Sequence, residues 1–113
     1  MNAPFRKSNH AAVLTPDLKA ARDFYENVME LELFTSTDEQ LVFKTNDSFF
    51  YVVRDLDRTG TVLEFYVDDL DVAKDRLVSK GCQIIKWEEK GKDCYLKDPF
   101  GMIFNLWEEN TEK

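Results

Sequence analysis

An internal repeat is the feature of this 113-residue chain that most restricts how it can fold. The segment TPDLKAARDFY, which begins at Thr15, matches VDDLDVAKDRL, which begins at Val67, at a constant offset. The identical pairs are Asp17 with Asp69, Leu18 with Leu70, Ala21 with Ala73, and Asp23 with Asp75. Such self-similarity predicts two copies of one supersecondary unit.

Both repeated segments have the pattern of an amphipathic helix. We predict Thr15 as the N-cap of the first helix with Pro16 at its first position, and Asp68 or Asp69 as the cap of the second. Gly81 predicts the end of the second helix, and the first is predicted to run to about Met29. The apolar residues that recur at helical spacing are Leu18, Ala21, Phe24, Tyr25 and Val28 in the first helix and Leu70, Ala73, Leu77 and Val78 in the second.

A strand-like run precedes each helix, and three more follow it. The predicted strands are 8–14, 31–36, 40–45 and 48–54 in the first half, and 61–67, 82–88, 93–97 and 102–107 in the second. The sequence therefore predicts a single α+β domain of two βαβββ modules, about 7–54 and 61–108, joined by a linker at 55–60. One helix covers one face of each curled, mainly antiparallel sheet, so we expect the other faces to form a ligand cleft.

Charge and composition restrict the classes of function. The net charge of −7 argues against a nucleic-acid surface and against anionic membrane surfaces, and it permits a cationic ligand. We expect no signal peptide, because no basic and then apolar N-terminal segment is present, and no membrane span, because the longest apolar run, near 49–53, is too short. Cys82 and Cys94 make no disulfide framework, so we predict reduced thiols in a cytoplasmic protein.

Strand alternation predicts which side chains line the cleft. The predicted cleft residues are His10, Ala12 and Leu14 on the first strand, Val62, Glu64 and Tyr66 on the fifth, and Ile103, Asn105 and Trp107 on the last. The residues between them are apolar and are predicted to face the helices. A mixture of aromatic and isolated polar groups is typical of a small-molecule site. The alternative for His10, Glu64 and Asn105 is a structural bond to neighbouring polar groups.

Three segments together resemble the vicinal oxygen chelate superfamily, the group of glyoxalases, bleomycin-resistance proteins and extradiol dioxygenases. They are NHAAVLTPDLKAARDFYENVMELELF, LEFYVDDLDVAKDRLVSKG and LKDPFGMIFNLWE, and the resemblance extends from about Asn9 to Glu108. It implies the paired-module fold and a homodimer, with pairing of the modules within a monomer as the alternative. It leaves the function open, because the superfamily includes lyases, epimerases, dioxygenases and antibiotic-binding proteins.

The resemblance also implies which positions would hold a metal ion. In metal-dependent members, His, Gln or Glu ligands come from the first and fourth strands of each half. The corresponding residues of this chain are His10, Tyr51 or Val53, Val62 and Asn105. Only His10 is a usual ligand, and Asn105 stands where the family usually has Glu. The resemblance therefore implies a lost metal site, although Glu64 offers a substitute carboxylate.

We predict a non-catalytic, metal-independent protein that binds or sequesters a flat or cationic organic compound, such as an antibiotic, and needs no cofactor. The predicted ligand-binding residues are His10, Tyr51, Val62, Glu64, Tyr66, Asn105 and Trp107. The alternative is a divalent-metal-dependent lyase, isomerase or dioxygenase whose ligands are His10, Glu64 and Asn105. Metal-free chemistry at Glu64, Tyr66 or Cys94 and a protein-binding regulatory module are further alternatives.

Overall fold

A computed structural model describes residues 5–109 and has the repeated order strand, helix, three strands. The strands are β1 (Arg6–Thr15), β2 (Glu32–Ser36), β3 (Gln40–Thr45), β4 (Ser48–Arg54), β5 (Gly60–Val67), β6 (Gln83–Trp87), β7 (Cys94–Lys97) and β8 (Ile103–Glu108). The helices are α1 (Leu18–Asp23), which a π-helical turn at Phe24–Val28 continues, and α2 (Leu70–Ser79). The predicted α+β class and the two βαβββ modules are confirmed.

The described chain divides into two compact units. We call them the N-terminal unit, Asn9–Val62, and the C-terminal unit, residues 5–8 with 63–109. The strand order in the N-terminal unit is β2-β3-β4-β1; β1 and β4 are parallel, and the other neighbours are antiparallel. The order in the C-terminal unit is β5-β8-β7-β6, with β6–β7 and β7–β8 antiparallel. The single-domain organisation and the cleft stay predictions.

Aspartates at matching positions of the repeat begin the two helices. The Asp17 carboxylate accepts the Ala20 N–H at 3.0 Å, and the Asp69 carboxylate accepts the Val72 N–H at 3.0 Å. The prediction of Thr15 as the first cap is therefore wrong. Thr15 ends β1, and its hydroxyl accepts the Asp17 N–H at 3.1 Å. The side chain that reaches the N–H of the third helical residue is the carboxylate of Asp17.

The helix of the N-terminal unit packs on one face of its sheet. Phe43 and Val52 are fully buried at 0% exposure in this core. The residues packed around them are Leu18, Ala21, Tyr25, Leu31, Leu33, Leu41 and Phe50. Phe24 and Val28 were predicted on the same helical face, but they are 49% and 64% exposed. The Met29 N–H bonds to the Phe24 carbonyl at 3.1 Å, five residues back, and this wider turn breaks the 3.6-residue register.

The core of the C-terminal unit lies between α2 and its sheet. Its buried members are Val67, Leu70, Ala73, Cys82, Cys94, Leu96, Phe104 and Leu106. Phe104 and Leu106 thus lie on the predicted helix-facing side of β8. Both cysteines are buried and free, as expected. In the described chain, no helix has the length and apolarity needed to cross a membrane.

The end of α2 explains the predicted glycine stop. The Gly81 N–H bonds to the Val78 carbonyl at 3.2 Å, and the Cys82 N–H bonds to the Leu77 carbonyl at 3.0 Å, which together form a Schellman cap. Gly81 has φ +106°, and a Cβ there would meet Cγ of Pro99 at 3.3 Å. Both the backbone conformation and the close approach of the β7–β8 turn therefore favour glycine at this position.

Candidate functional site

His10 lies on β1 beside β4, on the sheet face opposite α1. Its Nδ1 accepts a hydrogen bond from the backbone N–H of Phe49 at 3.0 Å. A neutral imidazole that accepts at Nδ1 carries its proton on Nε2. Neither nitrogen then offers the lone pair that a metal ion needs. Binding through Nε2 would move the proton to Nδ1, where it would face the Phe49 N–H instead of a second-shell acceptor.

A cluster of aromatic rings surrounds His10 in the N-terminal unit. We call Phe34, Phe49, Tyr51 and His10 the aromatic cluster. The ring centroids are 5.2 Å apart for Phe34 and Phe49, 5.8 Å for His10 and Phe49, and 6.1 Å for His10 and Tyr51. Phe34 is 56% exposed, so part of this π surface reaches solvent. His10 and Tyr51 were predicted from the sequence as ligand-binding residues, whereas Phe34 and Phe49 were not.

Two residues predicted to line the cleft are buried. Leu14 is 1% exposed and Val62 is 2% exposed. Their side chains present almost no surface to solvent, so a ligand would reach Val62 only if its present neighbours moved. Ligand contact at Val62 stays a prediction.

Asn105 joins three strands of the C-terminal unit. Its Oδ1 accepts the backbone N–H of Cys94 on β7 at 2.9 Å. Its Nδ2 donates to Oε2 of Glu64 on β5 at 3.3 Å. An amide is the side chain that accepts at one atom and donates at the other, whereas the Glu expected from the family would only accept when ionised. The structure thus brings Glu64 and Asn105 together.

Tyr66 follows Glu64 on the same face of β5. Burial raises the pKa of the Tyr66 phenol above its ordinary value, and the Glu64 charge raises it further. The side chain of Ser8, 2% exposed, is hydrogen-bonded to Tyr66 and opposes this shift. The phenol is therefore protonated at neutral pH and remains a hydrogen-bond donor. It is not a ready proton acceptor for metal-free chemistry.

Trp107 and Tyr95 lie on the Asn105 side of the sheet. Trp107 is half-buried and follows Asn105 by two residues on β8. Tyr95 pairs with Asn105 across β7 and β8 and is 3% exposed. The ammonium of Lys86 lies 5.7 Å from the centre of the Tyr95 ring. This is an internal cation–π contact, because Lys86 also pairs with Asp93 at 3.1 Å.

Cys94 gives little support to thiol chemistry. Its side chain is 0% exposed, and its Sγ donates to the Glu89 carbonyl at 3.3 Å. Burial raises the pKa of the thiol above its ordinary value, which keeps it protonated at neutral pH. A buried, protonated thiol is a weak nucleophile and a poor metal ligand.

Donor chemistry across residues 5–109 does not favour a metal centre. No group of three or more His, Cys, Asp or Glu side chains lies close enough together to hold an ion in this range. The alternative ligand set of His10, Glu64 and Asn105 contains only two residues of these types. Nδ1 of His10 and Oδ1 of Asn105 each accept a hydrogen bond from a backbone N–H. The residues present do not fit the family's usual metal site.

Comparison with known proteins shows which family shares this organisation. A family model described as Glyoxalase/Bleomycin resistance protein/Dioxygenase superfamily matches residues 7–106. No curated protein sequence gives a significant match.

Solved structures with the same fold include enzymes. A hypothetical protein from Bacillus halodurans has 12% identity and a TM-score of 0.67, with 98% of this chain and 99% of that chain covered. A Streptomyces coelicolor methylmalonyl-CoA epimerase variant in complex with 2-nitronate-propionyl-CoA has 18% identity and a TM-score of 0.66, covering 97% and 99%. A homoprotocatechuate 2,3-dioxygenase variant from B. fuscum has 18% identity and a TM-score of 0.68, covering 97% of this chain and 34% of the dioxygenase. The TM-scores show a common fold, and the low sequence identities leave the activity open.

Proposed function

This chain belongs to the glyoxalase/bleomycin resistance/dioxygenase superfamily, and from that premise we propose that it binds a small organic molecule without a metal ion. The observation that carries the proposal is the hydrogen bond from the Phe49 N–H to Nδ1 of His10. His10 is the one residue at the family's ligand positions with a usual metal-binding side chain. Its acceptor nitrogen already binds the backbone, so its role is to hold β1 and β4 together and to contribute a ring to the aromatic cluster.

The ligand that these residues favour is flat or cationic. Aromatic rings such as Phe34 and Tyr51 attract planar molecules by stacking. Glu64, Tyr66 and Trp107 supply one carboxylate and two further rings, which suit a positively charged group. Sequestration of an antibiotic of this kind, as in bleomycin resistance, is the specific form of the proposal. The ligand-binding residues proposed are His10, Tyr51, Val62, Glu64, Tyr66, Asn105 and Trp107.

We also propose that the protein works as a cytoplasmic homodimer with a small-molecule partner and no nucleic-acid partner. The charge of −7 supports the exclusion of phosphate backbones. Free, buried Cys82 and Cys94 suit a reducing compartment. Light scattering of the purified chain decides between the monomer mass, 13.3 kDa, and twice that value.

Metal analysis tests the proposal against the metal-dependent enzyme. Protein purified without chelator is analysed by mass spectrometry of its elements and titrated with Mn²⁺, Ni²⁺ and Zn²⁺ in a calorimeter. We expect no stoichiometric binding of any of the three ions. One tightly held ion per chain that is lost in His10→Ala and retained in Phe34→Ala would overturn the proposal and favour the lyase, isomerase or dioxygenase.

Ligand screening tests the binding function itself. Planar and cationic organic compounds are screened for an increase in Tm, and the hits are titrated against Tyr51→Ala and Trp107→Ala. We expect micromolar binding that weakens in these variants and no turnover of the bound compound. A chemically altered compound recovered from the mixture would show an enzyme instead of a sequestering protein.

A further inference from the structure

The wide turn that ends the first helix of the N-terminal unit exposes three apolar side chains. In the π-helical segment Phe24–Val28, the Met29 N–H bonds to the Phe24 carbonyl at 3.1 Å. Residues four and five positions apart are neighbours across a turn that such a bond closes. Phe24, Val28 and Met29 therefore lie together, and each is about half exposed or more. We call these three residues the π-turn surface.

Tyr25 makes the core contacts of the same turn. Its ring centroid lies 5.0 Å from that of Phe50 and 5.9 Å from that of Phe43. The Leu31 N–H bonds to the Tyr25 carbonyl at 3.0 Å, and Glu30 between them has φ +56°, so the turn is closed at its end. The turn is thus fixed to the core on one side while its apolar side chains remain in solvent on the other.

The composition of the π-turn surface suits a protein partner. Adjacent apolar side chains left in water mark interaction sites, whereas single ones are ordinary features of a surface. Phe and Met are enriched at the centres of protein–protein interfaces. An exposed helical turn projects into solvent and encloses no small molecule, so the occupant that it fits is another protein surface.

The charge around the π-turn surface is negative. The N-terminal unit contains ten acidic and five basic residues, a net charge of −5 out of −7 for the whole chain. Arg22 pairs with Glu26 at 3.2 Å, and the exposed Asp23 and Glu30 flank the three apolar residues in the sequence. A partner that buries the π-turn surface therefore meets carboxylates at its rim.

This charge argues against a second copy of the chain as the partner. In a two-fold contact the same patch meets itself, so Asp23 and Glu30 of one copy would approach those of the other. Like charges brought together at an interface oppose association, and opposite charges favour it. The rim of the partner is therefore expected to be basic.

We propose that the π-turn surface docks a partner protein through an apolar segment that is rimmed by Lys and Arg. The apolar centre supplies the buried area, and the carboxylates at the rim select the basic partner. The interaction does not depend on the small-molecule site, so it goes beyond the proposed function.

The test uses helical peptides of defined charge and the full-length protein. The probe is a labelled amphipathic peptide of Leu and Lys with all Leu residues on one face. In one matched peptide Glu replaces every Lys, and in the other Ser replaces every Leu. We expect fluorescence anisotropy to show that the Leu/Lys peptide binds at least about tenfold more tightly than either matched peptide.

Variants assign the binding to its residues. The double variant Val28→Ser with Met29→Ser should bind the Leu/Lys peptide about tenfold more weakly. Val72→Ser is the control, because Val72 on α2 is about as exposed as Met29, and it should bind as wild type does. Asp23→Asn with Glu30→Gln should weaken binding and reduce its dependence on NaCl concentration. All five positions are exposed, so circular dichroism should show a retained fold.

Several results would overturn the proposal while leaving the proposed small-molecule binding intact. They are absence of peptide binding to wild-type protein, equal binding to wild type and to the Val28/Met29 variant, and an equal loss in Val72→Ser. A dimer that becomes a monomer in the Val28/Met29 variant, measured by light scattering, would show instead that the π-turn surface joins two copies of this chain. The Asp23/Glu30 variant is decisive even where the apolar variant fails to fold.

Discussion

Replacement of Asn105 by aspartate tests the bond to Glu64 most directly. In Asn105→Asp, the new carboxylate still accepts the Cys94 N–H, but its other oxygen takes the place of the amide donor, 3.3 Å from Oε2 of Glu64. At that distance, two unit charges repel by about 5 kcal/mol at an effective dielectric constant of about 20. We therefore expect strong destabilisation at neutral pH.

Proton uptake limits the cost and makes it depend on pH. The introduced aspartate escapes the repulsion by staying protonated, at a cost of about 1.4 kcal/mol per pH unit above its ordinary pKa of about 3.9. This limit is about 4 kcal/mol at pH 7 and about 1.5 kcal/mol at pH 5. Its folded-state pKa is raised, so the penalty is absent below its unfolded value and grows as the pH rises toward the folded value.

Urea unfolding at pH 5 and pH 7 measures the effect, with two companion variants. Asn105→Leu loses both hydrogen bonds without gaining charge, so its cost should be nearly the same at both pH values. In the double variant Glu64→Gln with Asn105→Asp, the glutamine amide donates to the introduced carboxylate, and at pH 7 the double variant should be more stable than Asn105→Asp alone by about 2 kcal/mol or more.

The reasoning is refuted if Asn105→Asp lowers the free energy of unfolding equally at pH 5 and pH 7, and if the loss in the double variant equals the sum of the losses in the two single variants. That result would mean that the side chains at positions 64 and 105 do not interact in solution.

Three other features of the structure yield predictions. Glu108 accepts from Lys90 at 2.8 Å and from the Leu70 N–H at 3.0 Å, and these bonds lower its pKa, Lys90 more than Leu70. The stability that these bonds contribute is present above the ordinary pKa of 4.5 and is lost as the pH falls through the lowered pKa. In urea unfolding, Glu108→Gln should therefore have a lower free energy of unfolding than wild type at pH 6, and the difference should disappear at acid pH. Glu89 has φ +97°, so Glu89→Gly should raise the free energy of unfolding by about 0.5–1 kcal/mol, whereas Glu88→Gly should lower it; equal losses in both would contradict the assigned conformation. Phe43, 0% exposed, should cost about 3–5 kcal/mol on replacement by alanine, while Phe100→Ala, at a position 93% exposed, should change stability by less than about 0.5 kcal/mol; similar losses in the two would contradict the assigned burial.

The repeat and the strand alternation predict most of the fold because they depend on local periodicity. Phe104 and Leu106 face the helix as their spacing requires, and Asp69 caps α2. The first cap was mispredicted because Thr15 and Asp17 are both good capping residues, and the choice between them depends on where β1 ends. Sequence spacing alone does not determine that end.

The candidate site was predicted less completely, because parts of it depend on how neighbouring strands pair. Phe34 occupies a bulge between Leu33 and Thr35, where the pairing of β2 with β3 shifts register, so alternation fails at that residue. Phe49 lies two residues before Tyr51 on β4, and the same alternation would have placed it on the Tyr51 face. The two bonds of Asn105 depend on Cys94 and Glu64, which lie on different neighbouring strands, so no local pattern reveals them.

Arg6, at the start of β1, belongs to the C-terminal unit, which matters when the two halves of the chain are expressed separately. Its guanidinium lies 2.8 Å from the Asp68 carboxylate and 2.6 Å from that of Glu109, so the C-terminal unit takes a stabilising cation from the opposite end of the chain. The Phe5 side chain also packs against the core of that unit. A fragment cut out at the linker, residues 59–113, would lack both groups. Independent expression of that half should therefore give a fragment that is less stable to urea than the same residues in the full chain.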